Sequence, residues 1–261
     1  MPEPFASAYG RAARVALFVL SAAAAALALR LAWEFPISAA FGLAGLLGVF
    51  GSRWLARRRA SAMLRSGDVR LVLSRWSAAM QRVPHSETMG PLMMATALAA
   101  YGWIDRARAV LRTAHRGPAW DAAVEHRLFL DALLLTFEGD SGAALDRARE
   151  LEALPLPSSA PWLYGRIRTL RRAVGALARA FAHLGQEGDR QLLLRAAQAS
   201  PLVHWAMRYG AAILAVDAGD LPHARRLLDS APAWPEESCF GIFHREIAAE
   251  LERLSTPLPG R

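Results

Sequence analysis

Residues 98 to 118 read Leu98-Ala-Ala-Tyr-Gly102-Trp-Ile-Asp105-Arg-Ala107-Arg-Ala-Val-Leu111-Arg-Thr-Ala114-His-Arg-Gly-Pro118. Gly102, Ala107, Leu111, Ala114 and Pro118 stand five, four, three and four residues apart. The order describes two helices and the turn between them. Glycine ends the first helix, where a left-handed residue closes the free carbonyls. The small residue that follows lets a second helix approach the first closely. Leu111 and Ala114 continue its buried stripe, and a proline then prevents further helix.

The same skeleton recurs. Gly139, Ala144, Ala148 and Leu151 make a second unit, ending in Leu154-Pro155-Leu156-Pro157. Gly185, Leu194, Ala197 and Pro201 make a third, with Arg190 where the small residue belongs. Gly219, Ala224, Leu228, Ala231 and Pro235 make a fourth that matches the first at every step. The key glycines are 37, 46 and 34 residues apart. Gly67, Val72, Trp76, Ala79 and Pro84 follow a similar spacing and suggest a partial leading unit, whose first helix would be Arg53–Ser66. Asp105, Asp140, Asp189 and Asp220 lie near the starts of the second helices, where a carboxylate can cap free N–H groups. A last helix, Glu236 to Leu254, carries Glu250, Glu252 and Arg253 and suits the end of an array.

The recurring unit resembles the tetratricopeptide repeat, a helix-turn-helix of ~34 residues, over roughly Ser66 to Leu254. The expected fold class is therefore all-α: an N-terminal two-helix transmembrane hairpin followed by a TPR-like solenoid of antiparallel helix pairs. The expected domains are a membrane anchor over 1–60, the repeats over 61–254 and a tail over 255–261.

The anchor is read from charge and hydropathy. Val15–Leu29 and Phe35–Ser52 carry no charge, which predicts transmembrane helices over about 12–33 and 35–52. The first would span about 33 Å, with Arg14 and Arg30 reaching the interfaces. Ala40, Ala44, Gly48 and Ser52 would give the second a smooth face for close helix packing. Arg11, Arg14, Arg53, Arg57, Arg58 and Arg59 flank the outer ends, against Arg30 alone in the turn. That asymmetry places both termini and the repeats in the cytoplasm, at a bacterial inner (plasma) membrane. The competing reading is a signal peptide cut near Ala26-Leu27-Ala28, leaving a periplasmic protein; it must explain the second apolar stretch that follows at once.

The 31 basic residues are all arginine, in a chain with a net charge of +8 and a pI near 10.9. Residues 1–60 contribute +5 and the remainder +3, so the basicity belongs largely to the anchor. No basic stripe with interleaved aromatics occurs, and nucleic acid is not an expected partner. The one cysteine, Cys239, excludes an intramolecular disulfide and reads as a small apolar residue beside Phe240 and Ile242. The seven histidines make no pair with metal-ligand spacing, and neither a phosphate loop nor a nucleophile elbow is present. No catalytic residue, cofactor, metal or small-molecule substrate is expected.

In tetratricopeptide arrays the first helices line a concave face. The resemblance places there Met89, Leu92 and Thr96; His126, Phe129, Leu133 and Phe137; Arg172, Arg179 and His183; and Ala206, Tyr209 and Ile213. Such a groove, apolar with one basic sector, fits a helix or extended peptide of a protein partner, unless the final helix or a loop fills it. Members that clamp an acidic chaperone tail use Lys and Asn there, and this chain has neither. The stretch Trp162–Leu184 reads as one long helix whose Arg166, Arg168, Arg171 and Arg172 form either a solvated face or a docking face for an acidic partner or anionic lipid. The expected function is a non-enzymatic, membrane-anchored scaffold or assembly factor. The alternative is an accessory subunit of a membrane enzyme, secretion or transport complex, acting through hairpin and repeats together.

Overall fold

A computed structural model describes Arg30, residues 36–157 and residues 161–255. The first apolar stretch, Val15–Leu29, and the tail beyond Ser255 lie outside the described residues. All the described elements are helical, with no strand among them. The chain divides into two units, one ending at Arg59 and the other beginning at Ala60.

Helix α1 (Pro36–Arg65), most of which belongs to the first unit, starts at a proline, whose missing N–H is no loss at a helix start. Its 30 residues take in both the apolar stretch and the basic segment after it. No helix among the described residues is long and apolar enough to cross a membrane. The expected span over 35–52 is thus helical from Pro36, but Gly42, Gly45, Gly48, Gly51, Ser38 and Ser52 dilute its hydropathy. Phe50, Trp54 and Leu55 are exposed among Arg53, Arg57, Arg58 and Arg59, and the Arg58 guanidinium sits 4.3 Å from the Trp54 ring centroid.

The second unit contains α2 (Val69–Met80), α3 (Ser86–Ala100), α4 (Ile104–Leu111), α5 (Pro118–Ala122), α6 (Val124–Glu138) and α7 (Ser141–Ala153). They are followed by α8 (Tyr164–Phe181), α9 (Asp189–Ala199), α10 (His204–Asp217), α11 (Leu221–Leu228) and α12 (Cys239–Ser255). The helices pair as α3 with α4, α6 with α7, α8 with α9 and α10 with α11. The first helices α3, α6, α8 and α10 also pack in a row. Ala107, Ala144 and Ala224, the small residues of three units, are fully buried at these pairings. Gly67, Gly102, Gly139 and Gly219 all have positive φ at the ends of first helices. Asp68, Asp140 and Asp220 cap α2, α7 and α11 by accepting the N–H groups of Leu71, Ala143 and His223.

The third unit departs from the expected register. Gly185 has no positive φ; the left-handed position after α8 is filled by His183, at φ 55°. Four residues then intervene before Gly188, which precedes α9. Counted from Gly188, the position of the small residue is Leu193 and not Arg190, and Leu193 is buried, as is Leu192, while Leu194 is half-buried. Gly185 answers a different need: a Cβ there would overlap Leu214 Cδ2. Two aspartates also differ from expectation. Asp105 lies inside the first turn of α4, and Asp189 binds Arg179 through two hydrogen bonds of 2.8 and 2.7 Å. Pro118 and Pro201 open the next unit's lead-in turn, Pro118 as the first residue of α5 and Pro201 in a 3₁₀ turn before α10.

The array closes on itself. The Tyr101 hydroxyl donates to Leu64 O at 2.6 Å, and Trp205 Nε1 donates to Arg65 O at 2.8 Å, so residues 64–65 are bonded to both the first and the last full units. The segment after α11 returns to the first units. Ser238 Oγ donates to Tyr101 O at 2.7 Å and Cys239 N donates to Gly102 O at 2.8 Å. Phe240 is fully buried, with ring centroids of Phe137, Tyr209 and Trp234 at 5.3, 5.1 and 5.1 Å. Helix α12 then packs on α10 and α11, burying Ile247 and Leu251 and leaving Glu252 and Arg253 outside. Cys239 is half-buried, and burial pushes its thiol up to about 12.

Gly102 meets two demands at once. Its φ is +78°, and a Cβ would lie 2.9 Å from Ser238 Oγ, 3.0 Å from Cys239 Sγ and 3.1 Å from Phe240 Cδ1. Gly139, at φ +84°, has nothing within 4 Å of the same position. Gly139→Ala should therefore cost about 1–2 kcal/mol, the left-handed penalty alone. Gly102→Ala should cost roughly 2–4 kcal/mol once overpacking is added. Denaturant unfolding of the two variants checks this, and equal losses would mean that the returning segment does not press on Gly102.

Candidate partner-binding site

The returning segment covers two residues of the expected groove, Phe137 and Tyr209, and several others are buried by the neighbouring helices. Leu92, Thr96, Leu133, Phe137, Ala206 and Tyr209 are buried in the core. Thr96 Oγ1 donates to Leu92 O within its own helix, and Tyr209 OH accepts a hydrogen bond from Trp234 Nε1 at 2.7 Å. Met89 and Phe129 are half-buried against the core, and His126 is exposed at the start of α6. For Phe137 and Tyr209 the physical reason is the aromatic character that marked them as groove residues: Phe240 of the same chain satisfies it first, with Trp234 beside Tyr209.

Of the expected basic face, Arg171 is withdrawn from the surface, while Arg166, Arg168 and Arg172 stay exposed. Arg171 is buried, 5% exposed, because it is an internal clasp. Its Nε donates to Glu125 Oε1 at 3.0 Å and its Nη atoms donate to the carbonyls of Leu154 and Pro155. Arg166 Nη2 donates to Ala199 O at the end of α9, where a helix has free carbonyls. Arg179 is held by Asp189. Burial alone would raise the Asp189 carboxyl, but the bonds from Arg179 and from the Gln186 N–H outweigh it and hold the group below the usual range. Arg168 and Arg172 remain exposed.

What stays open is a pocket of about 300 Å³ at the ends of α8, α10 and α12. Two residues of the expected groove, His183 and Ile213, line it. Its floor is apolar: Phe181, Ile213, Val216, Phe243 and Ile247. Phe181 and Phe243 meet edge to face at 5.0 Å, which fixes their planes. The rim is acidic, with Asp217, Glu246 and Glu250. Asp217 is engaged by His183 Nδ1 at 2.9 and 3.1 Å, a bond made possible by the left-handed backbone that turns His183 back over α10. Glu250 is hydrogen-bonded by Arg253, which holds its carboxyl below the usual range. Glu246 is exposed and has no such partner among the described residues.

Such a pocket accepts an apolar side chain and favours a positive charge beside it. No group of three or more His, Cys, Asp or Glu residues able to hold a metal occurs among the described residues. One wall, Phe243, Glu246, Ile247 and Glu250, comes from α12, expected either to cap the array or to fill the groove. The signal for it is the spacing Phe240, Phe243, Ile247 and Leu251, an inward stripe at helical period.

Arg171 and Arg168 separate clasp from surface. Arg171→Met leaves two carbonyls without their donor and should destabilise the chain by about 2–3 kcal/mol. Arg168→Ala should stay within about 0.5 kcal/mol, as an exposed substitution. Urea titration reads both, and equal effects would return Arg171 to the solvated face. Neither protein-family models, curated proteins nor solved structures give a match to the chain, so the pocket is read from its own residues.

Proposed function

We propose that the protein is a non-enzymatic, membrane-anchored scaffold whose tetratricopeptide-like array captures a segment of one partner protein. The observation that carries the reading is the apolar pocket with a carboxylate rim at the ends of α8, α10 and α12. It is the one sector of the expected groove that α12 borders without filling. A partner segment that places a large apolar side chain on Phe181, Ile213 and Phe243 buries it for roughly 1.5–3 kcal/mol. A flanking Arg or Lys meets Glu246, and the complementary charge selects the partner and speeds encounter.

The anchor rests on sequence and on α1. Val15–Leu29 and Phe35–Ser52 are uncharged, and the arginine asymmetry favours cytoplasmic termini. The exposed Phe50, Trp54 and Leu55, set among arginines, suit an anionic headgroup region.

Two measurements test the two halves. A photocrosslinking residue at Ile213 or Val216 in the full chain should give one discrete adduct in cells, absent when Glu246→Arg and Phe243→Asp are introduced. The same residue at exposed Ala109 should give none. Adducts of equal yield at both places would remove the pocket from the reading. Membrane fractions washed at alkaline pH should retain the full chain; release into the wash would remove the anchor.

A further inference from the structure

A second cavity, of about 340 Å³, lies between α4, α5 and α6. Arg108, Arg112, Arg116 and Arg127 line it, with Asp131 as the carboxylate in the wall. Arg108 is neutralised by Glu138 through bonds of 2.9 and 2.7 Å. Arg112, Arg116 and Arg127 make no ion pair among the described residues. Arg127 Nε is buried without a hydrogen-bond partner, a costly state for a charged donor. Burial pushes the Asp131 carboxyl up, and Arg108, Arg147 and Arg127 offset this only in part.

Two of the arginines, Arg116 and Arg127, are held in place. The guanidiniums of Arg127 and Arg116 lie 5.1 and 5.6 Å from the centroid of Trp120. The turn that carries Arg116 is pinned to α3: His115 N donates to Glu87 O at 3.0 Å, and the buried Thr88 Oγ1 donates to His115 O at 2.8 Å. Arg112, Arg116 and Arg127 outnumber the one carboxylate of the lining not already paired, Asp131, so the cavity carries an excess of positive charge that an entering anion offsets.

We infer that this cavity binds a phosphate group. A carboxylate offers two oxygens and one charge, enough for a single guanidinium fork; a phosphate offers more acceptors and up to two charges, which suits several forks at once. Leu92, Leu111 and Leu130 complete the lining and accommodate the carbon side of a phosphate ester. The group can belong to a soluble phosphate ester or to a lipid headgroup, and the two sources are separable.

The test is calorimetric titration of the full chain in non-ionic detergent, with glycerol 3-phosphate in one arm and phosphatidic acid mixed into the micelles in the other. Saturable binding in the first arm assigns a soluble ester, and binding in the second alone assigns a lipid. In either case Arg127→Met and the exposed Arg112→Gln should weaken binding roughly ten- to a hundredfold, the range for one lost charged hydrogen bond. Arg168→Gln, which removes the same charge from α8, should leave affinity unchanged. Absence of saturable binding in both arms overturns the inference, as does an equal loss in Arg168→Gln. Thermal unfolding of each variant confirms that the folded chain is being titrated, and Arg112→Gln keeps the test decisive should Arg127→Met unfold.

Discussion

Burial of Phe240 is the constraint on which the second unit depends. Helices that pack in a row expose an apolar face wherever one presents a stripe wider than its neighbours cover. Here the chain covers it with its own C-terminal segment. Phe240 brings together Phe137 of α6, Tyr209 of α10 and Trp234 of the returning loop, and its backbone neighbours are bonded to Tyr101 and Gly102. Edge-to-face contacts of this kind contribute about 0.5–1.5 kcal/mol each beyond area burial. Their larger effect is topological. An open array unravels from either end, whereas a segment that ties residues near 240 to residues near 102 couples first and last units.

The third unit shows how the closure is accommodated. His183 takes a left-handed backbone that glycine takes elsewhere, and its ring is turned onto Asp217. The added residues before Gly188 are secured by the Arg179–Asp189 pair, in which Asp189 is only 4% exposed. A buried pair of this kind adds little net stability, since desolvation offsets attraction; its value lies in fixing register. Arg190 extends the same logic by donating to Asp220 at 2.8 Å, tying α9 to the cap of α11. The arginine that broke the repeat pattern is a bridge between units.

Local features were legible in the chain because local chemistry decides them. The left-handed glycines at 102, 139 and 219 and the aspartate caps at 140 and 220 follow from turn and helix-end requirements. Buried Ala107, Ala144 and Ala224 follow from helical period. The third unit was misplaced because a glycine at 185 competes with His183 as the visible turn signal. Arg171 was misread because an arginine's carbonyl partners, Leu154 and Pro155, lie in a loop with no charge of its own. The candidate groove was lost for a non-local reason: nothing in Tyr209 or Phe137 says whether the ring that covers them belongs to another protein or to Phe240.

Closure also shapes what remains for binding. Once the apolar face is filled, accessible cavities lie where the filling segment ends or never reaches. Phe243 and Ile247 are the last inward residues of α12 beside the first pocket, and the acidic turns of that helix give it a carboxylate rim. The arginine cavity lies beyond the returning segment, walled by α4, α5 and α6, and has the opposite charge. The first is walled by α10 and α12, which meet at Phe240, and the second includes a turn already pinned to α3 through His115, so neither depends on ordering a free loop when a ligand arrives. Preorganisation of that kind lowers the entropic cost of binding and lets small cavities hold ligands that a mobile surface would release.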